Sequence, residues 1–521
     1  MTVEEDREKR LMACEGTSEE TLPLYDGTKG DGLFARFLRF SYKLDSYGIE
    51  LRGIHRTTAY DRKSGDLRQM LTMALFWMSG CGGLSSMSGF FLGPLVFNLG
   101  FKDAVVAGTV GSFIGTGVCA YGSMMGPRSG LRQMVGARFQ FGWWPAKILA
   151  LLNVLTLLGW SVVNCVFGGG ILTSLSDNKV PIEVGIVIIS VVSLSIAIFG
   201  IRYVQFFESF AAIPVILTFM LLYVAAGKYF HIETESIGNS DTIKANWISH
   251  FSNCFGVTGT WIAISSDYYV EFPENFPKYK TILLTWISIF LPTIFVGILG
   301  TGIASGARVI TAWNTAFEEL GNGGLLAESY FVWGAGGKFL LVILYISLVS
   351  NNILNTYSIA LSSQVWGLFF TKVPRYILAI CAAVVYFVLA MVGRDKLSTI
   401  LGNFLPMITY WCVIYFAVLI EENVLFRRNK IPGKNDVYDW DIWNSPKKMP
   451  TCYAACISSL IGIAGAVLGM CQVYYVGPLA QLLGDHGVDV GVFAAFSFTA
   501  VTYPFLRYVE IAYKKKHGKK L

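Results

Sequence analysis

Asparagine side chains inside long apolar stretches are the residues of this 521-residue sequence that point most clearly to chemistry. Asn351, Asn352 and Asn355 lie in one stretch, and Asn164 follows Trp160 by four positions in another. Residues four apart share a helical face, so Trp160 lies beside Asn164 and Asn351 beside Asn355. An amide both donates and accepts hydrogen bonds, and an indole stacks on flat rings. The pattern predicts a binding site for a small polar heteroaromatic molecule.

The same residues have a structural interpretation. Amides at membrane depth form interhelical hydrogen bonds worth about 0.6 kcal/mol each, and Trp160 or Trp261 can simply pack or face lipid. Three asparagines within five positions, with a fourth beside a tryptophan, favour the binding site instead.

Two carboxylates are candidates for carrying a proton. Glu208 opens one apolar run and Asp267 closes another, and acidic groups at this depth often belong to proton relays. An ordinary hydrogen-bonded residue at a helix end is the alternative for each. Glu421 and Glu422, which precede Arg427, are interpreted as a solvated face next to the membrane.

The composition indicates that transmembrane helices position these residues. Hydrophobic residues make up 54% of the chain and charged residues 15%, against about 25% charged in soluble domains. The sequence therefore predicts an all-α polytopic membrane protein with both polar tails outside the bilayer. The twelve candidate transmembrane spans are 69–97, 104–125, 146–174, 184–200, 210–227, 248–266, 281–305, 339–370, 376–393, 399–420, 452–476 and 489–506.

Charge asymmetry orients these spans. With the N-terminus inside, cytoplasmic segments hold 33 Lys and Arg and external loops hold 8, which places both termini in the cytoplasm. Basic residues flank apolar runs, so the partners expected are the lipid bilayer and a small-molecule substrate, with no nucleic acid. The expected divisions are a cytoplasmic tail (1–68), a transporter core (69–420), a cytoplasmic loop (421–451), spans eleven and twelve (452–506) and a basic tail (507–521).

Two of the spans contain helix-breaking sequences. Span one includes Gly80–Gly83 in a Gly/Ser-rich stretch, and span six includes Ser252–Asp267, rich in Ser, Gly and Thr. Small residues also allow close helix packing. A pair of interrupted spans in matching halves is, however, typical of inverted-repeat transporters with a site at the membrane midplane. We therefore predict a five-plus-five inverted repeat with broken helices 1 and 6, plus two C-terminal helices.

Other functional classes find less support in the sequence. It contains no phosphate-binding GxxxxGK[ST] motif, no CxxC pair and no metal-ligand cluster, so neither ATP-driven pumping nor a metal or other cofactor is expected. An intramembrane enzyme would need a nucleophile with a base, and none occurs at depth. A receptor that binds without transporting would keep the same pocket and remains an alternative.

Five motifs, in order along the chain, resemble those of the purine-cytosine permeases, the fungal branch of the nucleobase–cation symporter-1 family. These motifs are Tyr47–Ile54, Gly126–Val135, Gly159–Asn164, Asp267–Glu274 and Ser350–Ser358. Within that family the chain resembles the fungal plasma-membrane vitamin B6 (pyridoxine) transporters in particular. The features behind this are Gly82–Ser88, Gly142–Trp144, Ser398–Met407, Glu421–Asn423 with Phe426–Arg428, and Asp439–Trp440.

The resemblance implies a LeuT-like fold, proton symport at the plasma membrane and a substrate of vitamin B6 type, with purine-cytosine transport as the alternative. Matched residue by residue, it implies these substrate-contacting positions: Ser85 or Ser86, Trp160, Asn164, Trp261, Asn351, Asn352 and Asn355. It also implies a role in transport for Glu208. Relatives that carry cytosine and purines usually have proline where this chain has Leu354, so Leu354 is expected to set specificity.

Overall fold

A computed structural model describes residues 53–395, 397–427 and 436–517. Most of the predicted N-terminal tail, the first part of the Tyr47–Ile54 motif, Arg428 and the last basic residues lie outside these ranges. Within them the helices of fifteen or more residues are α1 (Leu67–Cys81), α3 (Phe101–Ser123), α7 (Pro145–Leu175), α8 (Ile182–Ile198), α9 (Ile201–Ala226), α10 (Ser240–Gly259), α11 (Lys278–Ala307), α12 (Thr311–Phe331), α13 (Gly334–Gln364), α15 (Arg375–Gly393), α16 (Leu397–Glu421), α17 (Tyr453–Gly469) and α18 (Gly491–Lys516).

Shorter elements connect these helices. They are α2 (Leu84–Leu95), α4 (Met125–Ser129), α5 (Gln133–Gly136), α6 (Arg138–Phe141) and α14 (Leu368–Lys372), with strands β1 (Cys471–Gln472) and β2 (Tyr475–Val476). The strands pair antiparallel, Cys471 opposite Val476. We call the end of the bundle with this hairpin the hairpin end, and the opposite end, where α1 begins and α16 finishes, the N-tail end.

Within the described residues, eight helices are long and apolar enough to cross a membrane, and two shorter apolar helices, α8 and α17, accompany them. Their outward faces carry large apolar side chains exposed from the protein, such as Phe206 and Val501. Their inward faces carry small and polar residues. This arrangement is the one expected of helices surrounded by lipid.

Glycines let α3 and α10 approach backbone to backbone. Gly108, Gly111 and Gly115 recur along one face of α3, and a Cβ on Gly115 would lie 2.5 Å from the Phe255 carbonyl oxygen of α10. Close contact through small residues spaced three or four apart is a common way to pack helices in membranes. The α3–α10 pair therefore forms a rigid support for the centre of the bundle.

The chain leaves α-helical geometry at two places in the interior. Helix α1 ends at Cys81 and α2 begins at Leu84, with Gly82 and Gly83 between them. Helix α10 ends at Gly259 and continues as two 3₁₀ turns, Thr260–Ala263 and Ser265–Tyr268. Both places coincide with the Gly/Ser-rich sequences, where a helix is least favoured.

Three segments differ from the sequence-based expectation. The Gly-rich 306–338 segment, which lies between two predicted spans, forms helix α12 with a kink at Leu320 and Gly321, whose φ is +59°. Helix α9 begins at Ile201 rather than 210, so Glu208 lies inside a helix. Helix α18 runs to Lys516, beyond the apolar run that was expected to end at 506.

The predicted solvated face at Glu421 and Glu422 is wrong for Glu422, which is fully buried. Its carboxylate accepts hydrogen bonds from Arg507 (2.7 and 2.9 Å), Arg427 (2.9 Å) and the Tyr503 hydroxyl (2.7 Å). Arg507 in turn contacts Glu510, which pairs with Lys514 at 2.9 Å. These carboxylates can be buried because each of them is paired with a basic side chain. The pairs lie along the last turns of α18, at the N-tail end.

Candidate functional site

Side chains form hydrogen bonds with the free backbone groups at the interruption between α1 and α2. The Cys81 carbonyl accepts hydrogen bonds from Ser86 Oγ (2.5 Å) and Thr293 Oγ1 of α11 (3.2 Å). The Leu84 amide donates to Ser347 Oγ of α13 at 3.2 Å. Unwound backbone needs such partners because water is absent at this depth. The two consecutive glycines, Gly82 and Gly83, thus mark an interruption whose backbone is hydrogen-bonded by neighbouring side chains.

Four of the predicted substrate-contacting residues form one hydrogen-bonded group beside this interruption. Ser85 Oγ donates to Asn164 Oδ1, and Asn164 Nδ2 donates to Asn351 Oδ1 at 2.9 Å. Asn355 Nδ2 donates to the same Asn351 oxygen at 3.2 Å, and Asn351 Nδ2 donates to the Gly80 carbonyl at 2.7 Å. We call Ser85, Asn164, Asn351 and Asn355 the amide cluster.

The amide cluster retains capacity to bind a ligand. Asn355 Oδ1 is buried and accepts no hydrogen bond from the described residues. The hydroxyl of Ser85 and the amides of Asn164 and Asn351 can also exchange partners, since each both donates and accepts. A small molecule with ring nitrogens and hydroxyl or amino groups can replace these internal hydrogen bonds.

Each of the two predicted tryptophans is buried among aromatic side chains. Trp160 contacts Phe404 of α16 edge to face, with ring centroids 6.2 Å apart. Trp261, in the first 3₁₀ turn after α10, meets Trp77 of α1 edge to face at 5.9 Å. Their exposed fractions are 7% and 8%, so solvent has almost no access to either ring in this conformation. Aromatic walls of this kind bind flat ligands by stacking.

The structure places two predicted residues away from the amide cluster. Ser86 is used as a cap on Cys81. Asn352 lies 100° around α13 from Asn351, on the side where Tyr386 of α15 approaches it and Thr356. Neither side chain takes part in the hydrogen bonds of the amide cluster.

Glu208 connects the interruption of α1 to the asparagine stretch of α13. Its Oε2 accepts a hydrogen bond from Ser350, whose hydroxyl also contacts Ser79 Oγ at 2.8 Å. Its Oε1 is buried and has no partner among the described residues. Ser79 precedes Gly80, whose carbonyl accepts Asn351, and Ser350 precedes Asn351 itself, so the carboxyl group lies close to the amide cluster on both helices.

Asp267 holds the N-tail end together. Its Oδ1 accepts the Gln133 backbone amide at 2.6 Å, and its carbonyl accepts a hydrogen bond from Arg132. Arg132 also donates to the Tyr357 hydroxyl of α13 at 3.0 Å. The second 3₁₀ turn after α10, the α4–α5 connection and α13 are therefore linked, and Asp267 contacts a guanidinium-bearing loop rather than the amide cluster.

Leu354 contacts the interruption itself. A Cβ placed on Gly80 would lie 2.5 Å from Leu354 Cδ1, so the leucine side chain fills the space that Gly80 leaves. The Gly80 carbonyl is the acceptor of Asn351. The predicted specificity residue therefore acts on the backbone that positions the amide cluster.

Several residues of the site escaped the sequence-based prediction. Trp77 and Phe404 supply aromatic walls, Ser79 and Ser350 connect Glu208, and Arg132 joins Asp267 to α13. Ser350 begins one of the motifs quoted above and Ser79 directly precedes the Gly80–Gly83 stretch, but a serine in a helix commonly bonds its own backbone and gives no distinct signal. Among the described residues, no three His, Cys, Asp or Glu side chains form a group that could hold a metal ion.

Comparison with known proteins places this arrangement among permeases. Residues 63–484 match the family described as permease for cytosine/purines, uracil, thiamine, allantoin. The vitamin B6 transporter TPN1 of Saccharomyces cerevisiae is 42% identical over 90% of this chain and 89% of its own. The purine-cytosine permease fcyB of Emericella nidulans is 33% identical over 96% of both.

Solved structures show the same fold at low sequence identity. The structure of MHP1, a nucleobase-cation-symport-1 family transporter in a closed conformation with bromovinylhydantoin bound, superposes with a TM-score of 0.67 at 15% identity. The match covers 89% of this chain and 96% of that one. A Na⁺-coupled sialic acid symporter in a substrate-bound outward-open state superposes with a TM-score of 0.59 at 12% identity, covering 91% and 98%.

Proposed function

Since this chain belongs to the family of permeases for cytosine/purines, uracil, thiamine and allantoin, and is a transporter rather than an enzyme, we propose that it carries vitamin B6 into the cell by proton symport. The substrates proposed are pyridoxine, pyridoxal and pyridoxamine, and the location is the plasma membrane. The 42% identity with a vitamin B6 transporter supports this choice over the 33% identity with a purine-cytosine permease.

The amide cluster is the observation that carries the proposal. Pyridoxine is a flat pyridine ring with hydroxyl groups, so its edge both donates and accepts hydrogen bonds. Asn164, Asn351 and Asn355 offer amide groups on adjoining faces of α7 and α13, with Ser85 completing the set. Trp160 and Trp261 are proposed to stack on the ring. Ser86 and Asn352 are proposed to support the site from its edge.

The proposed architecture is a LeuT-like five-plus-five inverted repeat of twelve transmembrane helices. Its broken helices are α1 with α2 and α10 with the 3₁₀ turns that follow, and α17 and α18 are the two additional helices. The likeness to MHP1 supports this fold. The excess of Lys and Arg supports an orientation with the N-tail end, and both termini, in the cytoplasm.

Glu208 is the residue we propose to carry the proton. It accepts a hydrogen bond from Ser350, whose hydroxyl also contacts Ser79 of α1, and no basic side chain among those described pairs with it. A proton on Glu208 would therefore change the hydrogen bonds of the helices that bind substrate. Asp267 is the alternative, but its contacts with Arg132 and Gln133 suit it better to closing the cytoplasmic end.

A transport cycle follows from these contacts. Opening α16 at the hairpin end would admit substrate past Phe404 to the amide cluster. Substrate and a proton on Glu208 then favour the closed form, and release of the Asp267–Arg132–Tyr357 contacts opens the cytoplasmic end. Substrate can drive such a change only if it binds the open and closed forms with different affinities. The amide cluster can provide this difference because its residues come from both halves of the proposed repeat, Ser85 and Asn164 from the first and Asn351 and Asn355 from the second.

Competition for uptake tests the substrate. Cells that lack their own carriers and express this chain would be given labelled pyridoxine with pyridoxal, pyridoxamine, cytosine or adenine as competitors. Uptake blocked by B6 vitamers alone supports the proposal. Uptake of cytosine or adenine without pyridoxine would identify a purine-cytosine permease with the same site, an outcome that the relationship to fcyB makes the principal alternative. Binding without accumulation would indicate a receptor.

A further inference from the structure

Asn253 of α10 is a buried amide outside the amide cluster. Its side chain is 1% exposed, and neither Nδ2 nor Oδ1 has a hydrogen-bond partner among the described residues. Burying an amide without partners is unfavourable, and an apolar side chain of similar size would remove the penalty. A partner that joins Asn253 in another stage of the transport cycle accounts for an amide at this position.

The direction of the side chain follows from its neighbours on α10. The backbone of Phe251 and the side chain of Thr258 face α3, where they approach Gly111 and Gly115. Position 253 lies on the opposite face of the helix, because 3.6 residues make a turn. One turn later, Gly256 faces Thr409 of α16.

Val257, the residue after Gly256, faces a different helix, α2. Val257 Cγ2 lies 2.6 Å from the Cβ position of Gly89 in α2. Gly256 and Val257 follow Asn253 by three and four residues, so they flank its direction around the helix. Asn253 therefore points into the junction of α2, α10 and α16.

This junction lies between the hairpin end and the site. Phe404 of α16 covers Trp160, and the same half of α16 is fastened to the hairpin end. The Asn403 side chain accepts the Val473 amide at 3.2 Å, and the Tyr410 hydroxyl donates to Asp489 at 2.6 Å. A molecule entering from the hairpin end must pass where α16 now meets α2 and α10.

We propose that Asn253 is a hydrogen-bonding subsite on the entry route, which the substrate contacts after α16 moves away and before it reaches the amide cluster. The ligand class is the small heteroaromatic molecule of the proposed function, on which this inference rests. Eight residues separate Asn253 from Trp261, or about 12 Å of helix. The two positions therefore bind in succession rather than together.

Substitution by leucine separates a binding role from a structural one. We expect Asn253→Leu to be at least as heat-stable as the parent, because the unpaired amide is removed, and to raise the KM for uptake about tenfold, the factor for one lost hydrogen bond. Asn253→Ser, which keeps a donor and an acceptor, should raise KM less. The matched control is Cys254→Ala, whose side chain faces Gly108 of α3. A stable Asn253→Leu with parental KM would overturn the proposal.

Thiol labelling provides a test that does not depend on uptake. In intact cells, Asn253→Cys should react with a membrane-impermeant methanethiosulfonate, and pyridoxine or cytosine should slow the reaction. The parent chain, with Cys254 buried against α3, is the control and should stay unlabelled at this helix. Absence of labelling at position 253 would show that the residue never faces the outside and would overturn the subsite. If the parent chain shows no uptake while the ligand still slows labelling of Asn253→Cys, the result would count against the proposed transport function alone.

Discussion

Leu354 of α13 fills the space beside Gly80 of α1, 2.5 Å from where a Cβ would stand. The residue predicted to set specificity thus contacts the backbone whose carbonyl accepts Asn351. We therefore propose that substrate selection depends on how α1 and α13 fit together, in addition to which side chains reach the ligand.

Adding one methyl group at Gly80 should disrupt this fit. We expect Gly80→Ala to lower pyridoxine uptake at least tenfold, because the methyl group collides with Leu354 and displaces the carbonyl that Asn351 uses. The double variant Gly80→Ala with Leu354→Ala restores space and should recover much of the uptake. Initial uptake rates, normalised to transporter at the cell surface, measure both. No recovery in the double variant would show that the contact is not the cause.

Leu354→Pro should abolish pyridoxine uptake and favour nucleobases. Proline has no amide hydrogen for the helix, bends α13 beside Asn355 and withdraws the side chain from Gly80. Labelled cytosine and pyridoxine, offered in parallel, give the measurement. Leu354→Met, which keeps the helix and the apolar contact, is the control and should retain pyridoxine uptake. A proline variant with unchanged preference would remove Leu354 from the specificity residues.

Two adjacent asparagines should respond differently to alanine. Asn351 makes three hydrogen bonds within the site, whereas Asn352 faces Tyr386. We expect Asn351→Ala to raise KM at least tenfold and Asn352→Ala to change mainly the amount of folded transporter. Uptake kinetics together with surface abundance separate the two effects. Equal increases in KM would place Asn352 in contact with substrate after all.

Replacing Glu208 by glutamine should uncouple transport from protons. Glutamine keeps the shape and can still accept the Ser350 hydroxyl, but it cannot release a proton. We expect Glu208→Gln to equilibrate pyridoxine without accumulating it, with uptake that a protonophore or external pH no longer affects. Asp267→Asn is the comparison and should stay sensitive to protonophore. The reverse pattern would assign the proton to Asp267.

The buried charges of α18 should be essential for stability. Arg507→Ala leaves Glu422 buried with Arg427 and Tyr503 as its remaining partners, and removing one partner of a buried ion pair typically costs about 3–5 kcal/mol. Thermal unfolding of the detergent-solubilised protein measures the loss. Glu422→Leu combined with Arg507→Leu removes both charges and should lose less. If the double variant is the less stable of the two, the ion pair itself, rather than the unpaired charge, provides the stability.

The sequence sufficed where residue type and local spacing determine the outcome. Asn164, Asn351 and Asn355 were predicted together because helical periodicity and the rarity of amides at depth both apply to them. Asn352 was grouped with them by position, although 100° of helix turns it toward Tyr386. The burial of Glu422 could not be predicted locally, since its principal partner Arg507 lies on a different helix. In α12, glycines suggested a loop, but packing of Gly323 against Gly170 of α7 requires that small residue within a helix.

The Glu422–Arg507 pair also imposes an order on biosynthesis. Eighty-five residues separate the two partners, so at about 5–20 residues per second a ribosome needs about 4–17 s to supply the guanidinium after the carboxylate. During that interval Glu422 has Arg427 as a partner but lacks Arg507 and Tyr503, and a chain that stops early never completes the set. Insertion of α18 is thus the step that supplies the last partners of Glu422 and completes this end of α16.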